Sequence, residues 1–111
     1  MAAISGVLAQ YNLTSSVTWQ LVFTAPAGLT VGTAVQIMVC NLNSAATKVT
    51  IALTTQSGSP LNSEIIEYNA ILNGYDVLER GGIILEAGRM IKVYSTDVSP
   101  NHAYTITGYE V

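Results

Sequence analysis

Few side chains in this sequence can take a proton, attack a bond or hold a metal. His102 is the only histidine and Cys40 the only cysteine. A Ser/His/Asp triad would have to be built around His102, because the base must be an imidazole that reaches a hydroxyl and is oriented by a carboxylate. His102 follows Pro100-Asn101 in a turn signal, and we read it as a solvated loop histidine. Zinc requires several His, Cys or carboxylate donors converging on one point, and one His with one Cys does not supply them. Asp76, Glu79 and Glu86 offer oxygens suited to calcium but lack the spaced Asp/Asn loop that wraps it; structural charges near Arg80 and Arg89 explain them more simply. Glu64 and Glu67 are the acids to offer for sugar hydrolysis, yet three residues apart on a strand they point to opposite faces. No Gly-rich loop precedes a helix that would cradle phosphate. No catalytic, cofactor-binding or metal-binding residue is assigned, and the expectation is a non-enzyme without a cofactor.

The aromatic residues leave one further possibility. Tyr11, Tyr68, Tyr75, Tyr94, Tyr104 and Tyr109, with Trp19, are enough for a sugar-stacking platform. Rings with one polar tip serve equally as core or interface anchors, which is the reading adopted here.

The elements that would position these groups are strands. Val, Ile and Thr make up 11, 10 and 12 of the 111 residues, and β-branched side chains prefer a pleated surface. A segment Ala3 to Tyr11 reads as an edge strand or N-terminal arm within residues 1–15, followed by a turn-like tail at Asn12 to Ser16. Val17 to Phe23 alternates, with Val17, Trp19, Leu21 and Phe23 on one face. Pro26-Ala27-Gly28 ends it. Val31 to Asn41 and Thr47 to Thr55 then face one another as a hairpin, with Val35, Ile37, Val39, Val49, Ile51 and Leu53 inward and Lys48, Thr50 and Thr54 outward. The longest loop, Gln56 to Ser63, is rich in small polar residues and is the segment expected to move.

Glu64 to Ser95 organises the rest, and it holds five of the seven acidic residues. Its first run places Ile66, Tyr68, Ala70 and Leu72 on one face. Ile83-Ile84-Leu85 and Met90 to Tyr94 flank Glu86-Ala87-Gly88-Arg89, whose glycine can take the positive φ of a tight hairpin. A turn at Asp97 to Asn101 and a last strand from Ala103 to Val111 bring the count to eight. Eight short strands without a helical period predict one all-β domain spanning residues 1–111, an eight-stranded antiparallel sandwich of jelly-roll or immunoglobulin-like type. The predicted core is Trp19, Leu21, Phe23, Val35, Ile37, Val39, Val49, Ile51, Leu53, Ile66, Tyr68, Ile91 and Val93.

Charge narrows the functional classes. Only 10% of the residues are charged, against about 25% in a typical soluble chain, and the net charge is −3. Without a Lys/Arg cluster, a nucleic-acid partner is disfavoured. Met1 to Thr47 contains no Asp, Glu, Lys or Arg at all, which suits a surface covered by neighbouring subunits. The N-terminus lacks the basic region of a signal peptide and no run is long enough to span a membrane, so no membrane partner is expected. Cys40, within an apolar run, is read as a buried, inert free thiol in a chain kept in a reducing cytoplasm.

Several segments carry a resemblance. Pro26-Ala27-Gly28, Cys40-Asn41, Ile66-Glu67-Tyr68, Leu78-Glu79-Arg80 and Gly108-Tyr109-Glu110 look like the turns and strand ends of a family of small structural proteins of tailed bacteriophages. The similarity covers roughly residues 20–111, and Asn73-Gly74-Tyr75 and Ser99-Pro100-Asn101-His102 depart from the pattern. The resemblance implies a virion structural protein assembled in the host cytoplasm, most simply a capsid decoration (cement) protein. The partners it implies are a major capsid protein or other virion proteins, in a homo-oligomer for which a trimer suits three-fold shell positions. A tail or neck accessory protein and a carbohydrate-binding sandwich are the alternatives.

Overall fold

The computed structural model describes residues 5–28 and 31–111, so Ala3 and Ile4 of the expected arm lie outside the described residues. Eight strands follow in order: β1 (Ser5–Leu13), β2 (Gln20–Thr24), β3 (Thr33–Asn41), β4 (Thr47–Thr54), β5 (Ile65–Leu72), β6 (Val77–Leu85), β7 (Met90–Tyr94) and β8 (His102–Glu110). Every pairing is antiparallel: β1 with β8, β2 with β7, β3 with β6 and β4 with β5. The chain therefore runs out over four strands and returns alongside itself. Wrapping this long double strand also brings β3 against β8 and β4 against β7. The result is two packed sheets, β1-β8-β3-β6 and β2-β7-β4-β5. That order is the jelly roll, the first of the two sandwich types expected.

Wrapping overturns both predicted hairpins. β3 and β4 face each other in sequence but belong to opposite sheets, and so do β6 and β7. Their turns are arches that carry the chain across the core. The 86–89 turn has its predicted glycine at φ +78 and an Arg89 N–H bond to the Glu86 carbonyl, yet it joins layers rather than neighbours. Asn41 ties the other arch. Its buried amide donates to the carbonyls of Ala45, Leu72 and Asn73 and accepts the Asn43 N–H. A side chain with two donors and an acceptor closes a turn that no backbone ladder can close.

The period-2 reading of the central strands holds. Val35, Ile37, Val39, Val49, Ile51, Ile91 and Val93 are buried, while Phe23, Leu53 and Ile66 pack against them partly covered. Three predicted core residues do not lie there, and irregular backbone is the reason in each case. Val17 has φ +53, a left-handed value unsuited to a β-branched strand residue, so β2 starts only at Gln20. A bulge between Leu21 and Phe23 then turns Leu21 outward, 49% exposed, while Phe23 faces in. Trp19 stacks at a tilt on Tyr94, ring centroids 5.0 Å apart, outside the core cluster. In β5 the alternation breaks at Asn69, φ +48, and Tyr68 is left 73% exposed.

Thr50 and Thr54, expected to face solvent, are buried. Thr50 Oγ1 accepts the Asn69 N–H at 3.0 Å and fills the bulge. Leu13, read as part of a turn, ends β1 fully buried, and Leu85, Tyr104 and Ile106 complete the core.

Candidate functional site

His102 is the first place to look for chemistry, and it is not a solvated loop residue. It opens β8 with no exposed surface. Its Nε2 lies 2.7 Å from Thr47 Oγ1, and its Nδ1 lies 3.4 Å from the Tyr104 hydroxyl. Thr47 Oγ1 donates in turn to Asp97 Oδ2, which also accepts the Lys48 N–H at 3.1 Å. Burial lowers the His102 pKa below its ordinary 6.5, against a smaller upward pull from Asp97, and burial raises that of Tyr104. A neutral imidazole fits every contact: Tyr104 O–H to Nδ1, Nε2–H to Thr47, Thr47 O–H to Asp97. This relay holds β8 to the end of the sandwich. It is closed to solvent at the imidazole.

The acids lie apart. Glu67 pairs with Arg80 at 3.2 Å, bridging β5 and β6, and Glu79 accepts from Gln36 at 3.2 Å. Glu64 sits in a short 3-10 turn, Asn62–Glu64, where the strand was expected to begin. It accepts from Thr54 Oγ1 at 2.6 Å and from the Leu61 N–H at 2.9 Å, and these bonds hold its carboxyl below the ordinary 4.5. Glu64 and Arg89 are 3.9 Å apart. Arg80 and Arg89 thus pair with Glu67 and Glu64 rather than with Asp76, Glu79 or Glu86. No cluster of three or more His, Cys, Asp or Glu suited to a metal occurs among the described residues.

What the fold does assemble is a surface. Burial of Val35, Ile37, Val39, Tyr104 and Ile106 turns Ala34, Gln36, Met38, Thr105, Thr107 and Tyr109 onto the outer face of β1-β8-β3-β6. Val7, Ile84 and Val77 join them from the edge strands, at 61%, 52% and 44% exposure. Among the described residues of these strands, Glu79 is the one charged side chain on that face. Cys40 lies on it too, half-buried beside Val77 and Ala103 rather than enclosed as expected.

A trough of about 610 Å³ crosses all four strands of this face. Its walls are Val7, Ala34, Gln36, Ile84, Thr107 and Tyr109, and glycines make it hollow. Gly6 at φ +93 and Gly82 at φ +72 sit beside the bulges of β1 and β6 and present no Cβ to the trough. Gly108 lets β8 approach β3 so closely that a Cβ there would collide with the Ala34 carbonyl oxygen.

The exposed aromatics do not form a row. Tyr109 stands on this face, Tyr68 on an edge strand of the other sheet, and Tyr75 in the β5–β6 turn. The apolar face was foreshadowed only by the missing charge in residues 1–47; the trough had no signal in the sequence, since it depends on bulges in strands distant along the chain. Neither the comparison with protein-family models nor the search of curated proteins finds a match to this chain.

Proposed function

We propose that the protein is a non-enzymatic structural protein of a bacteriophage virion, a capsid decoration (cement) protein that binds and stabilises the head shell. The observation that carries this reading is the bare outer face of β1-β8-β3-β6, with its trough and one charged side chain. Protein interfaces are depleted of Lys, Glu and Asp at their centres, because burying an unpaired charge is costly, and this face has almost none to desolvate. The molecule measures 44 × 26 × 19 Å, so its broad face is large enough for the roughly 800 Å² per partner of a stable contact. On a shell built of many identical subunits, a small protein gains further from every extra contact it makes at once. The major capsid protein is the partner in this reading, with the protein present as a homo-oligomer. A tail or neck accessory role would use the same face on a different virion protein.

Cryo-electron microscopy of particles carrying the labelled protein, with particle heat resistance measured with and without it, tests the proposal. Density on the head and loss of heat resistance on removal are expected. Absence of the protein from purified particles would overturn it.

A further inference from the structure

The jelly roll has four edge strands, all of them bulged, and three carry further devices that keep an edge from pairing with another chain. β6 has Glu79 and Arg80 at its middle and a bulge at Gly81-Gly82. β5 has Glu67 and the Asn69 bulge, and its Glu67 is ion-paired to Arg80 at 3.2 Å, which closes that side of the sandwich with charge. β2 is only five residues long, bulged, and stopped by Pro26. β1 differs. Beyond its bulge between Val7 and Ala9, the run Ala9-Gln10-Tyr11-Asn12-Leu13 stays in unbroken register with Ile106 to His102, without charge or proline. Among the described residues, its backbone pairs only with β8.

We infer that the free edge of β1 pairs with β1 of a second copy, antiparallel about a two-fold axis, through Ala9 to Leu13. An antiparallel pair of identical strands presents the same patch to itself, so one sequence suffices for both sides. A second copy is the fitting partner because the run has nothing to oppose: Gln10 and Asn12 are neutral on the exposed face, and no like charges meet across the axis. Each chain carries −3, but none of it lies on β1. Pairing would extend β1-β8-β3-β6 into one eight-stranded sheet across two copies. Both troughs would stay open, because Gly6 and Val7 lie outside the paired run. This association is two-fold, in place of the trimer suggested by shell geometry, and it does not depend on the virion role.

The test is light scattering of the full chain over a concentration series, with amide exchange of β1 measured at both ends of it. A dimer that dissociates on dilution is expected, with the β1 amides that point away from β8 exchanging about tenfold more slowly when concentrated. Gln10→Lys should weaken the dimer about fivefold or more, and Gln10→Glu likewise, while mixing the two variants should restore association. A protein monomeric at every concentration overturns the inference. So does an oligomer, trimer included, whose β1 amides exchange alike at both concentrations, or one that Gln10→Lys leaves intact.

Discussion

The two sheets treat their outer faces differently. On β2-β7-β4-β5 the chain covers itself: Lys92, only 7% exposed, projects outward from β7 and donates to the carbonyls of Ser57 and Gly58 at 3.0 and 2.7 Å. The long loop is thereby tied to the outer face beside Ala52 and Thr54, which are buried although they face away from the core. Glu64 pins the other end of that loop through Thr54 and Leu61. The segment expected to move is therefore anchored at both ends. The outer face of β1-β8-β3-β6 has no cation among the described residues to draw a loop over, since Arg80 is turned to Glu67 of β5, and the face stays bare. The contrast teaches that a single buried ammonium, satisfied by carbonyls, can decide which side of a sandwich is covered by its own loop and which stays bare.

The strongest way to break the comparison is at Gly108, the closest approach within the bare sheet. Gly108→Val should cost about 3 kcal/mol or more, since the collision is with backbone that cannot move without parting β8 from β3. Urea denaturation measures it. Lys92→Met keeps the stem but removes both charged hydrogen bonds, and a loss of about 2 kcal/mol is expected. Proteolysis should then cut within residues 56–63 first, and unchanged resistance there would show that the loop covers its sheet without Lys92.

Acid separates the two sheets by pH. His102 has a depressed pKa in the folded chain, so the unfolded chain binds the extra proton as pH falls below 6.5, and stability is full above 6.5 and declines beneath it. Glu64 is also depressed, so its contribution is present above 4.5 and is lost only as pH falls through its lower folded value. The end of the bare sheet should loosen first and the covering loop afterwards. Hydrogen exchange at β8 and at residues 56–64 along an acid series follows both; simultaneous loosening would contradict the assignment. The smallest effect on the fold is expected from Met38→Lys on the bare face, within about 0.5 kcal/mol in urea denaturation. Under the proposed virion role the same substitution should abolish attachment to particles, because a charge would then be buried in the contact with the shell.

The sequence by itself determined the all-β class and the inward positions of β3, β4 and β7, because regular strands bury every second residue whichever strand lies beside them. It also exposed the uncharged half, which supplies β1 and β3, two of the four strands of the bare face. Only the tertiary structure decided which strands are neighbours, since the arches after Asn41 and Leu85 read locally as hairpin turns and differ only in which layer the chain enters next. The bulges that put Tyr68 and Leu21 outside depend on partner strands far along the chain, so no local period could show them. His102 looked solvated because it follows a turn. It is buried because β8 begins at that residue, and because Thr47 and Tyr104, brought there by the wrap, satisfy both ring nitrogens.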